Sequence, residues 1–220
     1  MDCMDFMKDC KDKQFDLAIV DPPYGIGENG KGCSRHRGGE VFTCFEAKEW
    51  DNIKPNGQYF NNLFRISNNQ IVWGGNYFTE FLPSSMGWIF WNKLISGDFS
   101  DGELAFTSFD RALKMFIQSI ERNRATNILS AEKWKRIHPT QKPVKLYKWL
   151  LKNYAKEGDT ILDTHLGSGS SRIACYDYGF DFTGIELDKD YFDAEEKRFK
   201  NHISQTRMFV PAGVNIGECS

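Results

Sequence analysis

Residues 160–186 read TILDTHLGSGSSRIACYDYGFDFTGIE. TILD is a short apolar run stopping at Asp163, which predicts a buried parallel strand. THLGSGSS is a glycine-rich turn, and SSRIACYDYG is a helix with Gly179 placed as its C-terminal cap. DFTGIE is the next strand, ending on Glu186. Strand, glycine turn, helix, strand and acid outline a nucleotide-binding βαβ unit. Glycines let the backbone approach a ligand, and an acid about 20 residues on can accept hydrogen bonds from ribose hydroxyls. Glu186 stands 23 residues past Asp163. The dinucleotide fingerprint GxGxxG is not met, because Gly167 and Gly169 are followed by Arg172 where the third glycine belongs. No Gly-Lys-Ser/Thr follows, which excludes a P-loop. The unit suits S-adenosylmethionine, which has ribose and adenine but no phosphate; a tight turn without a ligand is the blander alternative.

Outward from this unit, the element types alternate as in an α/β domain. FDLAIV, residues 15–20, reads as a buried parallel strand. NGQYFNNLFRIS spaces Tyr59, Phe60, Leu63 and Phe64 on one helix face, and QIVWGG reads as a strand closed by two glycines. GWIFWN at 87–92 and ELAFTSF at 103–109 are further strand candidates. KPVKLYKWLLKNYAKEGD is a helix with Pro143 in its first turn, and a last amphipathic helix covers roughly 189–200. The stretch from Gly25 to about Asp51 is too long for a mere connector. It reads either as a surface excursion or as a lid or substrate loop.

The strand at 15–20 runs into DPPY, residues 21–24. Two prolines cannot extend a central strand, because each lacks a ladder N–H. A strand end in an open α/β sheet faces the ligand crevice, so Asp21 points into a pocket. Proline restricts its own φ and the residue before it, which fixes Asp21 and the carbonyl of Pro22. These are two acceptors, matched to the two N–H donors of an exocyclic amine, with Tyr24 as a stacking surface for its ring.

DPPY, HPTQKP at 138–143 and LDTHLGSGSS together resemble the S-adenosylmethionine-dependent amino-group DNA methyltransferases. DPPY precedes the glycine motif and HPTQKP stands just before it, as in the permuted beta group of that family. The resemblance implies a doubly wound, mostly parallel sheet with a Rossmann-like methyltransferase fold and circularly permuted motif order. It implies that Asp21, Pro22, Pro23 and Tyr24 hold the target base. Asp163, Gly167 and Gly169 would line the methionine end of the cofactor, and Glu186 would hold its ribose. Thr140, Gln141 and Lys142 would close over the cofactor, and Asp2 would sit near its adenine. The family usually carries an aromatic ring two residues before the first glycine; here His165 stands there, a planar substitute or a packed core residue. WGGNYF at 73–78 also resembles the family, which makes Asn76 either a pocket residue or part of a glycine-hinged strand end.

The 220 residues suffice for a single methyltransferase domain, 1–220, with a substrate loop at 28–50 and a short target-recognition segment at 95–137 inserted. The resemblance implies double-stranded DNA as partner, with the base flipped out, and a homodimer; it leaves a restriction endonuclease partner open. The net charge of -2 argues weakly against nucleic acid, but residues 111–145 hold nine Lys or Arg against two acids. That block and Lys31, Arg35 and Arg37 are candidates for phosphate contacts, or are solvated faces. Cys33, His36 and Cys44 raise a metal question, but a fourth ligand is missing, so no metal is expected. No apolar run approaches the roughly 18–20 residues of a membrane span, and no leader is seen. The expected place is the cytoplasm of a bacterial or phage-infected cell. Two acceptors serve either amine, so cytosine N4 rivals adenine N6; the family's cytosine members more often carry Ser in place of Asp21, which favours adenine. RNA as substrate, a non-catalytic DNA-binding subunit of the same fold, and a dehydrogenase are the remaining alternatives.

Overall fold

A computed structural model describes residues 1–27, 33–35, 41–44, 48, 51, 54–94, 100–118 and 137–209. Lys31, His36, Arg37 and most of 28–50 and 95–137 lie outside these residues, and Cys33, Arg35 and Cys44 are described only as backbone.

The chain runs α1 (Cys3–Asp9), β1 (Phe15–Val20), β2 (Cys33–Arg35), β3 (Val41–Cys44), α2 (Gly57–Ile66), β4 (Ser67–Trp73), β5 (Trp88–Asn92), β6 (Gly102–Thr107) and β7 (Lys114–Ile117). It continues with α3 (Val144–Tyr154), β8 (Thr160–Asp163), α4 (Ser170–Tyr178), β9 (Asp181–Gly184) and α5 (Lys189–Phe209). Seven strands form one sheet in the order β7-β5-β6-β4-β1-β8-β9, while β2 and β3 pair apart as an antiparallel ribbon. Within the sheet only β6 runs against its neighbours; the β1–β4, β1–β8, β8–β9 and β5–β7 pairs are parallel.

Both faces of the sheet are buried, as continuous apolar strands require. Leu17, Ile19, Ile71, Trp73 and Ile161 pack on one face with Leu146 and Leu150 of α3 and Ile173 of α4. Ala18, Val20, Val72 and Leu162 pack on the other with Met7 of α1 and Phe60 and Leu63 of α2. The alternation along each strand follows from the two-residue side-chain period. This is the expected doubly wound, mostly parallel sheet. From β1 the chain next adds β4 on one side; β8, on the other side of β1, is followed by β9 further out. The crevice at such a switch lies outside the carboxyl ends of β1 and β8.

Several details differ from the expected boundaries. The glycines of QIVWGG lie past β4, because Gly74 turns into a left-handed conformation (φ 66°) before a 3-10 turn at Gly75–Tyr77. Pro143 is the N-cap of α3 rather than inside its first turn, and that helix ends at Tyr154, before Gly158. β9 ends at Gly184, two residues before Glu186, and α5 continues to Phe209. Gly179 caps α4 with φ 73°, accepting its predicted role. No helix among the described residues is long and apolar enough to cross a membrane.

At the amino ends of the strands, Asp16 ties three of them together. Its carboxylate accepts from the Thr160 N–H at 3.0 Å, the Thr160 hydroxyl at 2.9 Å and Asn68 at 3.2 Å. The Thr160 N–H is the main reason its pKa falls below the ordinary 3.8. A carboxyl with a depressed folded pKa stabilises the fold above the unfolded value, and that stabilisation is lost as pH falls through the folded value. Asp16→Asn is therefore expected to lower the urea-denaturation free energy at pH 7 by about 1–2 kcal/mol. The gap to wild type should narrow once pH drops below 3.8; a gap independent of pH would contradict this linkage.

Candidate active site

β1 ends at Val20, and the next four residues are DPPY. The turn after them is held by Asp51, whose Oδ1 accepts from the N–H groups of Tyr24 at 2.6 Å and Gly25 at 3.0 Å. Asp51 is only 2% exposed, so this carboxylate acts as a buried cap for the motif. The Tyr24 hydroxyl donates to Asp21 Oδ1 at 2.8 Å, and Lys142 Nζ donates to Asp21 Oδ2 at 2.5 Å. Pro22 is buried beneath them.

Lys142 is 4% exposed and is bound from two sides. Besides Asp21 it pairs with Glu103 of β6 at 3.0 Å, and Glu103 also holds Lys93 at 2.5 Å. Burial works to lower the Lys142 pKa, but Asp21 and Glu103 overcome it and hold the amine above its ordinary value. Lys142 is therefore a fixed ammonium. Burial lifts the Asp21 carboxyl above its ordinary value, with Lys142 opposing.

The Tyr24 ring is not bare. Tyr77 stacks on it at 4.9 Å with planes 14° apart, and Phe78 meets it edge-on at 6.1 Å. Gly74 passes so close that a Cβ there would stand 2.2 Å from Tyr24 Cε1. Asn76 is exposed and does not line the cavity beside the motif.

That cavity, of about 1460 Å³, opens along the carboxyl ends of β1 and β8. Asp21 and Pro23 line it from one strand end, and His165, Leu166, Gly167 and Ser168 from the other. Thr140, Gln141 and Lys142 enter from the HPTQKP segment, and Asp2 and Glu186 from the far rim. The predicted motifs, far apart in sequence, thus meet at one crevice. Asp2 caps α1, accepting the Met4 N–H at 2.6 Å, and the N-terminal ammonium donates to the Glu186 carbonyl at 2.8 Å. Gln141 accepts the Ile137 N–H at 3.0 Å, and the Thr140 hydroxyl lies 3.1 Å from His138 Nδ1.

The two glycines of the turn differ. Gly167 (φ 52°) donates its N–H to Glu186 Oε2 at 2.8 Å, and the other oxygen of Glu186 accepts from the Asp188 N–H at 2.9 Å. A Cβ at Gly167 would extend toward the His138 ring, 3.8 Å away, into the cavity. Gly169 (φ 68°) faces the buried Glu195 instead, where a Cβ would meet Cγ at 2.3 Å. Asp163 also sits behind the lining: it accepts the His165 N–H at 3.0 Å and the Ser171 hydroxyl at 2.6 Å. Burial pushes its pKa up to about 7. These two residues shape the turn from below. His165 packs edge-on against Tyr59 at 5.5 Å, and burial lowers its pKa to about 4, so the ring is neutral.

The sequence reading assigned no role to Glu103 or Asp51, placed Tyr59 only on a helix face, and carried Tyr77 within WGGNYF without a role. Glu103 and Asp51 lie in no motif and reach the site only through the pairing of distant segments. Lys142 was expected to close over the cofactor, but its ammonium is directed at Asp21 and Glu103.

An N6/N4-type family model, described as DNA methylase, matches residues 43–197, a stretch that begins after DPPY and includes HPTQKP and the glycine turn. The Type II methyltransferase M.HpaI of Haemophilus parainfluenzae is 23% identical over 90% of this chain and 72% of its own length. The Type II methyltransferase M2.DpnII of Streptococcus pneumoniae is 26% identical over 90% of this chain and 87% of its own. Among solved structures, M1.HpyAVI in complex with SAM superposes with a TM-score of 0.58 at 19% identity, covering 90% of this chain and 96% of that one. The cytosine-N4-specific PvuII DNA methyltransferase gives 0.56 at 11% identity, covering 98% and 86%. These structures share the fold.

The contact between Gly74 and Tyr24 leaves no room for a methyl group, and φ 66° strains any residue with a Cβ. Gly74→Ala is expected to cost about 1–3 kcal/mol in urea denaturation. An unchanged denaturation midpoint would contradict the packing of this turn against the ring.

Proposed function

Since the chain belongs to the N6/N4-type DNA methylase family, we propose that it transfers a methyl group from S-adenosylmethionine to the N6 amino group of adenine in duplex DNA. The observation that carries this reading is Asp21 at the cavity end of β1, held by Lys142 and rigidly followed by Pro22.

The adenine amine is a poor nucleophile, because its lone pair is delocalised into the ring. The Asp21 carboxylate and the Pro22 carbonyl accept its two N–H groups, which localises that lone pair and orients it toward the cavity. Lys142 holds the carboxylate in place, and the Tyr24 hydroxyl fixes its second oxygen. Bound S-adenosylmethionine supplies the electrophilic methyl group. The residues fit this group. Glu186 is anchored by two backbone N–H groups and keeps lone pairs for ribose hydroxyls. Gly167 leaves open the space a side chain would fill, and Tyr59, Leu166 and Ile185 give the cavity apolar walls. Asp2, which lines the same cavity as Glu186, suits the adenine end. Thr140 and Gln141 close the opposite wall.

The target base lies inside the duplex and must be flipped out, at a cost of a few kcal/mol that stacking offsets in part. The aromatic surface offered is the Tyr24–Tyr77 stack, in which Tyr77 is 40% exposed. Residues 28–50 serve as the substrate loop and 95–137 as the target-recognition segment of a single domain, 1–220. The basic residues of 111–145 other than the buried Lys142 take phosphates, and a homodimer supplies a longer DNA footprint than so short a segment can. The protein works in the cytoplasm. Cytosine N4 is the second reading, because the same two acceptors fit either amine; Asp21 rather than Ser favours adenine.

Nucleoside mass spectrometry of unmethylated duplex DNA incubated with the protein and S-adenosylmethionine tests this. N6-methyladenine is expected from wild type, with Asp21→Ala lower by roughly a hundredfold or more and its cofactor affinity nearly unchanged. N4-methylcytosine would transfer the mechanism to the other base. Near-normal turnover by Asp21→Ala would overturn the mechanism.

A further inference from the structure

Glu103 lies outside every motif, yet it belongs to the charged centre of the site. It is the second residue of β6, the one strand of the sheet that runs against its neighbours. A residue at the start of a reversed strand reaches the same edge as the ends of the parallel strands. Glu103 therefore comes to the crevice edge where β1 delivers Asp21. There it pairs with Lys142 at 3.0 Å, while Lys142 pairs with Asp21 at 2.5 Å. Lys93, just past β5, fixes Glu103 from the far side at 2.5 Å.

The series Lys93, Glu103, Lys142, Asp21 alternates in sign. An ammonium paired with a single carboxylate sets its whole charge against that carboxylate and weakens it as an acceptor. Divided between two carboxylates, it holds Asp21 in place and leaves more of its negative charge for the substrate N–H. We propose that Glu103 is a positioning residue that takes a share of the Lys142 ammonium and so keeps Asp21 a strong, correctly aimed acceptor for the target amine. This rests on the amine-methylation reading of the site.

Among the described residues, Lys142 before α3, Glu103 on β6 and Tyr24 in the motif act on Asp21, and Asp21 in turn acts on Tyr147 on α3, Asp163 on β8 and Tyr59 on α2. Of these only Lys142 is cationic. Removing the Glu103 charge leaves Lys142 to Asp21 alone and lowers the Asp21 midpoint; removing Lys142 raises it.

The test follows the Asp21 carboxyl by 13C NMR in the full chain, without cofactor or DNA, its resonance identified by its loss in Asp21→Asn. The Asp21 midpoint should fall in Glu103→Gln and rise in Lys142→Met. In parallel, kcat for DNA methylation by Glu103→Gln should drop roughly ten- to a hundredfold, while calorimetry shows the S-adenosylmethionine affinity unchanged. Glu103→Asp, which keeps the charge but withdraws it by one methylene, should move both readouts the same way by less, and it carries the test if Glu103→Gln does not fold. An unchanged kcat overturns the proposal whatever the titration does. A lowered kcat with an unmoved Asp21 midpoint also overturns it, since the loss is then merely structural. A wild type that methylates no amine sinks the functional reading instead, and the NMR arm still reports on the charge network.

Discussion

A buried ammonium against a carboxylate at the edge of a cavity is a demanding contact, and this fold is arranged around one: the Lys142 side chain is 4% exposed and that of Asp21 16%. Lys142 and Asp21 lie 121 positions apart in sequence and 2.5 Å apart in space. Taking both charges out of water costs several kcal/mol per ion, which their attraction offsets only if further hydrogen bonds complete both groups. Here the Tyr24 hydroxyl donates to Asp21, and ion pairs continue from Lys142 to Glu103 at 3.0 Å and from Glu103 to Lys93 at 2.5 Å. Apart from Tyr24, which shares DPPY with Asp21, each partner comes from a different segment, so the network forms only when the sheet is assembled. The contact joins DPPY, at the end of β1, to HPTQKP, just before α3.

The permuted motif order has little consequence once the sheet is formed. β1 and β8 are neighbours, so the residues that follow them share one crevice whichever strand comes first in the chain. Turn chemistry then sets the details. Asp51 caps the loop after DPPY, Glu186 receives the N–H of Gly167, and Gly169 lets Glu195 pass behind the turn. Gly74 gives the Tyr24 ring its place. Pocket and scaffold are separated within the glycine motif itself, where Gly167 faces the cavity and Gly169 faces the packing.

Much of this was legible in the sequence, and for local reasons. β1 and β8 are dense apolar runs with abrupt ends, and α4 carries its own capping glycine; these signals need no tertiary context. What escaped is non-local. α1 has only seven residues and one buried side chain, Met7, so its periodicity is invisible; Arg65 of α2 secures its end by donating to the Met7 and Cys10 carbonyls. β7 is an edge strand whose Met115 and Ile117 are exposed, which hides the usual alternation of a half-buried strand. Glu103 lies in a stretch readable as a strand, but nothing in its neighbours indicates that the strand is reversed, and the reversal is what brings it to the site. HPTQKP was legible as a motif, but not the direction of the Lys142 ammonium within it, because that depends on Asp21 and Glu103.

The claim that the Asp21–Lys142 contact organises the site is tested most directly by a double-mutant cycle on stability, with Asp21→Asn, Lys142→Met and the double variant in urea denaturation at pH 7. Either single change removes one partner of the Asp21–Lys142–Glu103 network and should cost about 1–3 kcal/mol. The double variant removes both charges together and should cost far less than the sum of the two. Additive losses would contradict the account, because they would mean that the two groups contribute independently and the contact joins nothing.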